Sequence, residues 1–187
     1  MVLTTTRRIG WGEYLQLPLT HYEIIDGKVN ALPTPPFKHQ KIVSELMIQL
    51  GAQVQREAKG YLVPAPYDVV IRRAPLRTRQ PDLLFISRER ADRIPDLQNQ
   101  PRIELAPELV IEVLSLSDTV SEWLEKLRDY HQIGAQEVWA VDPQSASVEV
   151  LRWSETGWQS VGVFTGDQTI RSEVLGKTAV APAMLFG

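Results

Sequence analysis

The chain contains no cysteine. That absence excludes a disulfide scaffold, a cysteine-ligated zinc site, an iron–sulfur cluster and a thiol nucleophile. It fits a reducing compartment, and a cytoplasmic location is the expectation. No apolar run approaches the roughly 18 residues of a membrane helix, so no membrane partner is expected. The N-terminal MVLTTTRRIGWGEYLQL has two arginines but no signal-peptide core, because Gly, Glu and Gln interrupt the residues after them. Basic excess is missing too. The chain has 20 Lys and Arg against 23 Asp and Glu, a net charge of −3, and a sequence pI of about 5.7. Phosphate binding by counterion release wants a basic surface. The balance therefore weighs against a protein that coats nucleic acid, yet leaves room for an acidic, metal-loaded site with a local basic rim. There is no internal repeat, low-complexity tract or linker-like stretch. At 187 residues the expectation is one domain spanning 1–187, long enough to bury a sizeable core.

The apolar residues fall into helical and strand-like patterns. Residues 10–17 read as a short helix ending before Pro18. In YEIIDGKVNAL, Asp26-Gly27 between two apolar-rich runs is a hairpin signal. Thr34-Pro35 reads as a helix start, with Thr34 as N-cap and Pro35 at the first helical position. That helix extends to about Lys59, stopped by Gly60, and its stripe is Ile42, Val43, Leu46, Met47, Leu50 and Val54. Strand-like runs come next at about 61–63, 67–73, 82–87 and 108–114. A second helix at about 118–132 carries Trp123, Leu127 and Tyr130 on one face and ends at Gly134. Three further strands are read in EVWAVDP, SVEVLRW and WQSVGVF, with turns at Asp142-Pro143 and Glu155-Thr156-Gly157. The order predicts a mixed α/β fold, one central sheet with helices packed on it, in which the 67–73, 82–87 and 108–114 runs are neighbours.

Carboxylates on apolar strands are the informative anomaly. Glu112 sits in LVIEVL, a continuous run that marks a strand covered on both faces. A buried carboxylate is costly unless it is paired, protonated or bound to a metal. The alternative is a glutamate paired with a buried Arg or Lys. Asp82 opens PDLLFIS and shares a strand face with Leu84 and Ile86 by alternation; a strand-initiating Asp is the plainer reading. Asp68 in YDVVIR and Glu23 in YEII are further candidates, each readable as a solvated strand position. On the second helix, with Trp123 at zero, Leu127 lies at about 40°, Tyr130 at about 340° and Lys126 at about 300°. Lys126 therefore flanks the buried stripe and can reach over the sheet toward a strand carboxylate; the alternative is a surface pair with Glu122. His39 leans to the core side of the first helix, where a packing histidine is the plainer reading.

Pro81-Asp82, then Glu112-Val113-Leu114 in a strand, then a helix bearing Lys126 is a constellation that resembles the PD-(D/E)XK nuclease superfamily. It looks more closely like the Uma-two family of bacterial endonucleases. The resembling segments are YEIIDGKV, HQKIVSEL, PDLLFIS, ELVIEVLS and KLRDYHQIGAQEVWAVDP, which span about residues 20–150. The resemblance implies a restriction-endonuclease-like central mixed sheet flanked by helices, phosphodiester hydrolysis, and DNA as partner. The superfamily carries a lysine two positions after the glutamate, where this chain has Leu114. The resemblance implies that the lysine has moved to the following helix, with Lys126 as its candidate.

Such chemistry needs a hard cation and an activated water in line with the leaving oxygen. Asp82 and Glu112 would hold Mg²⁺ or Mn²⁺ with the Val113 carbonyl as third ligand, a sparse oxygen set of the kind Mg²⁺ takes. Lys126 would orient the water or stabilise charge on the phosphate. Glu23 would complete a second-metal or water-positioning site, and Asp68 and His39 would support. Residues 71–93 hold seven arginines against three acids, a local excess of four positive charges. Arg72, Arg73, Arg77 and Arg79 are the candidate sequence-blind phosphate contacts, with a solvated loop and strand ends as the plainer reading. A catalytically silent nuclease fold acting as an interaction module, favoured by Leu114, stays open. So do a metal-dependent hydrolase of another substrate and a homodimer.

Overall fold

The structure is a computed structural model, and it describes residues 7–17, 21–116 and 118–187. The chain begins with α1 (Trp11–Tyr14), the hairpin β1 (Tyr22–Ile25) and β2 (Lys28–Ala31), and the long helix α2 (Phe37–Arg56). Next come β3 (Gly60–Pro64), β4 (Asp68–Arg73), β5 (Leu76–Arg79), β6 (Leu83–Ser87) and the short helix α3 (Arg88–Ala91). β7 (Arg102–Ile103) and β8 (Leu109–Val113) lead into α4 (Val120–Ile133). The antiparallel strands β9 (Glu137–Asp142), β10 (Ser147–Ser154) and β11 (Gly157–Thr165) come after it, and α5 (Pro182–Phe186) closes the order. Among the described residues no helix is long and apolar enough to cross a membrane.

The mixed α/β plan is present, with two sheets where one was expected. The larger has the order β11-β10-β9-β8-β6-β3 and the smaller β2-β1-β5-β4-β7. β6 and β8 are antiparallel neighbours, as expected, with Leu83 opposite Ile111. β8 runs parallel to β9. The 67–73 run is the correction: it forms β4 in the smaller sheet, paired with β5. The missed element is LRTR at 76–79, whose charges read as loop. Once β5 exists, a short hairpin over Ala74-Pro75 pairs β4 with it, leaving β6 to β3 and β8.

Alternation along β6 and β8 sorts their side chains to two faces. Leu83, Phe85, Leu109, Ile111 and Val113 pack with Ile42, Leu46, Leu50 and Val54 of α2. On the other face, Val110 packs with Leu127 and Tyr130 of α4, while Leu84 and Ile86 meet Val69 and Ile71 of the smaller sheet. By the same alternation Glu112 lies on the α4 face.

The Asp26-Gly27 hairpin is as expected, with both residues at positive φ, 52° and 83°, as a type I′ turn requires. Helix α2 starts two residues later than expected, with Pro36 rather than Thr34 in the N-cap position. The reason is Pro36 itself, which disfavours helical backbone at Pro35. Nor does Gly60 stop α2; Glu57 caps it, and Gly60 belongs to β3. A Cβ on Gly60 would stand 2.1 Å from the Ile86 carbonyl oxygen, so the β3–β6 approach requires glycine. Helix α1 is shorter than the 10–17 reading, and Pro18 lies outside the described residues.

Candidate active site

The β6–β8 pairing places Asp82 opposite Glu112 by one further step of the register, and α4 is laid across that end of the sheet. Thr119 and Glu122 start α4 with a reciprocal capping box, and Gly134 ends it at positive φ. Because Glu122 is committed to Thr119, the surface pair with Lys126 does not form. Lys126 reaches inward instead, and its Nζ donates to Glu112 Oε2 at 2.8 Å. One turn on, the Tyr130 hydroxyl donates to Glu112 Oε1. On the neighbouring strand, the Val113 N–H donates to Asp82 Oδ2 at 2.8 Å, and His39 Nε2 of α2 lies 3.2 Å from the same oxygen. Asp82, Glu112, Val113, Lys126 and His39 therefore meet, brought from two strands and two helices.

They line a cavity of about 250 Å³ together with Glu23, Gln80, Ser115, Asp118, His21 and the Pro33–Pro36 segment. Its lining carries four carboxylates and one lysine. Burial pushes the Glu112 carboxyl above the usual range, and the Asp82 charge adds to that, against the pull of Lys126 and Tyr130. Burial opposes the charge on Lys126, but Glu112, Glu23 and Asp82 more than offset it and hold the ammonium well above its ordinary value. Burial also opposes charge on His39; the bond and charge of Asp82, then Glu112 and the Val113 carbonyl, raise it overall.

The donor set fits a hard divalent cation. It is made of oxygens: two carboxylates and the Val113 carbonyl. Asp82 Oδ1 has no protein partner among the described residues. Among those residues no three His, Cys, Asp or Glu side chains form a metal cage, so a cation here would keep several waters, as Mg²⁺ does.

Other candidates sit elsewhere. Glu23 lines the cavity but is already gripped, accepting from Arg79 Nη1 at 2.7 Å and from the Gln80 N–H at 3.1 Å. It and Asp68 are buried rather than solvated. Asp68 lies behind the lining, accepting from the Tyr14 hydroxyl at 2.6 Å and from Gln80 Nε2 at 2.7 Å. The basic rim is corrected at Arg77 and Arg79. Arg77 and Arg79 are each 4 % exposed, and both donate Nε to Asp129 at 2.6 Å. Buried in ion pairs, they cannot touch a backbone. Arg72 pairs with Asp26 and Arg73 with Glu104 at 2.7 Å; neither lines the cavity. Tyr130, Gln80 and Asp129 were missed as site partners. Tyr130 and Asp129 had a signal, since they lie four and three residues after Lys126 on the same inward side of the helix.

Carboxylates just before β6 and within its neighbour β8, with a lysine on the following helix, sit on a mixed α/β fold of sheets flanked by helices, the plan expected of a restriction-endonuclease-like protein. The chain matches the model of the Uma2 family, described as "Putative restriction endonuclease", over residues 11–183, and it belongs to that family. It is similar in structure to a protein from Anabaena variabilis ATCC 29413, described as a "putative nuclease belonging to DUF820". That similarity has a TM-score of 0.78 at 22% sequence identity, covering 95% of this chain and 97% of the other. Comparison with curated proteins finds no match.

Proposed function

We propose that the protein is a metal-dependent endonuclease that hydrolyses phosphodiester bonds of DNA. The observation that carries this reading is the convergence of Asp82, Glu112 and Lys126 on one cavity, with Lys126 Nζ 2.8 Å from Glu112. Asp82, Glu112 and the Val113 carbonyl would hold Mg²⁺ or Mn²⁺. When bound, the cation would polarise a phosphoryl oxygen and lower the pKa of a bound water. Lys126 is cationic, so it acts on charge developing at the phosphoryl oxygens rather than as a base. Tyr130 fixes the second oxygen of Glu112 and so orients the carboxylate. His39 bridges Asp82 and the β8 end, holding the first ligand in place. With four carboxylates in the lining, an anion enters readily only after a cation has offset that charge.

The test is cleavage by purified protein supplied with Mg²⁺ or Mn²⁺. Asp82→Ala and Glu112→Ala should abolish it, and Lys126→Ala should lower the rate by about 10²–10³, with all three variants folded. A second reading rests on Leu114 and on the closed Lys126–Glu112–Tyr130 cluster: a silent nuclease fold used for binding. Metal-loaded protein that cleaves no DNA, together with a loss of several kcal/mol of stability on Asp82→Ala, roughly what breaking a buried pair costs, would establish that reading instead.

A further inference from the structure

Helix α4 has two flanks, and one of them serves the cavity. With Trp123 at zero, Lys126 lies at about 300°, while Val120, Leu124 and Arg128 lie at about 60°, 100° and 140°. Those three residues are on the flank turned away from Lys126. That flank borders the outer strands of the larger sheet. Val148 and Val150 of β10 pack in the core under α2, so by alternation Glu149, Leu151 and Trp153 stand on the α4 side. Directly opposed residues share a face, which adds Val163 opposite Glu149 and Trp158 opposite Trp153.

Between the helix and this face runs a groove of about 410 Å³, with Leu124 and Arg128 on its helix wall and Glu149, Trp153 and Trp158 on its sheet wall. Its apolar surroundings are left open. Val163 is 57 % exposed, Leu124 45 % and Trp153 37 %. β11 is the edge strand here, yet its nine residues, GWQSVGVFT, carry no charge, although edge strands left to water are ordinarily guarded by charge or proline. The aromatic wall is already fixed. Trp153 stacks on His131 with ring centroids 3.3 Å apart and meets Trp158 edge-on, and Trp158 Nε1 donates to the Leu127 carbonyl at 2.8 Å. A wall held in place loses little freedom when it is covered.

Charge indicates what covers it. Arg128 and Glu149 line opposite walls of one groove, and neither has an ion-pair partner among the described residues. A patch with a cation on one wall and an anion on the other complements itself about a two-fold axis, where residue i meets j and j meets i. We infer that this groove is the interface of a homodimer, with α4 of each copy seated against the β10–β11 face of the other. Arg128 pairs there with Glu149 of the partner subunit, and the pair occurs twice. The inference does not depend on the proposed activity: Leu124 lies about 160° round the helix from Lys126, so each cavity stays open in the dimer.

Sedimentation velocity on the full chain tests this, taken up to about 100 μM, beyond the micromolar-to-picomolar span of interfaces of ordinary size. It should show a species of twice 21.2 kDa. Leu124→Glu should leave monomer at every concentration. Arg128→Glu and Glu149→Arg should each raise the dissociation constant by at least about tenfold, because like charges then meet across the axis. The double variant Arg128→Glu/Glu149→Arg should restore the dimer, which a merely misfolded protein would not do. Acrylamide quenching of tryptophan emission should fall on association, as Trp153 becomes covered. A monomer throughout the range would overturn the inference. So would a dimer that Leu124→Glu and Arg128→Glu leave unchanged, or a double variant that associates no better than either single one.

Discussion

Helix α4 carries two clusters of charge that look alike in sequence and differ in structure. On one, Glu125 and Asp129 hold Arg77 and Arg79. All three side-chain nitrogens of Arg79 have carboxylate partners: Asp129, Glu23 and Glu125. Those of Arg77 have Asp129, Asp26 and Glu125. On the other, Lys126 holds Glu112 at the cavity floor, and Asp82 Oδ1 beside them has no protein partner among the described residues. The first cluster is saturated, with both guanidinium groups buried, and so structural. The second keeps an open oxygen and faces a cavity, and so can accept a ligand. Saturation of partners, more than the presence of charge, separates a charged brace from a site.

The largest expected effect tests the saturated side. Asp129→Ala leaves two buried guanidinium groups short of a partner, and breaking such a pair costs about 3–5 kcal/mol. The midpoint of denaturant unfolding should fall accordingly, with a melting temperature lower by about 10 °C for a chain of this size. Asp82→Ala should cost less, about 1–2 kcal/mol, because the lost bonds from the Val113 N–H and His39 are partly offset by relief of the carboxylate crowding on Glu112. Equal losses in the two variants would erase the distinction.

A smaller effect probes the second partner of Glu112. Tyr130→Phe removes the hydroxyl that donates to buried Glu112 and leaves the ring in the core. Hydrogen bonds to charged groups contribute about 1.5–3 kcal/mol, so unfolding should become easier by that amount. Lys126 should then hold Glu112 alone, and any cleavage should fall through misorientation of the carboxylate. A Tyr130→Phe protein with unchanged stability would mean that Tyr130 does not share Glu112 with Lys126.

Much of the fold and site is legible in the sequence itself. The helical stripe of α2, the Asp26-Gly27 turn and the run LVIEVL each obey a local rule that the structure keeps. Glu112 stands out because its neighbours are apolar, and Lys126 because its angular position flanks the buried stripe. What hides the rest is pairing at a distance. Arg77 and Arg79 read as a surface rim since charge usually means water, and it is Asp129 and Glu125, some fifty residues on, with Glu23 and Asp26, that make burial of that strand tolerable. Asp68 and Glu23 mislead for the same reason: their partners Tyr14, Gln80 and Arg79 come from other elements. Strand β5 is lost with its arginines, and with it the second sheet.

The smallest effect is one of pH and bears on the open cluster. His39 has a pKa raised above its ordinary 6.5: burial opposes the charge, but Asp82, Glu112 and the Val113 carbonyl outweigh it. A group bound more tightly to its proton when folded adds stability that is complete below the unfolded value and lost as pH rises through the folded one. The stability difference between the wild type and His39→Gln, measured by urea unfolding in EDTA, should therefore be largest below about pH 6.5. It should shrink at higher pH as the imidazolium–Asp82 pair is lost. The shift of Glu112 is present in both proteins and largely cancels in the difference. Added Mn²⁺ should flatten the curve, because a cation on Asp82 replaces the role of the imidazolium. No decline in the difference with rising pH would show that His39 is a neutral packing residue, with Asp82 held by the Val113 N–H alone.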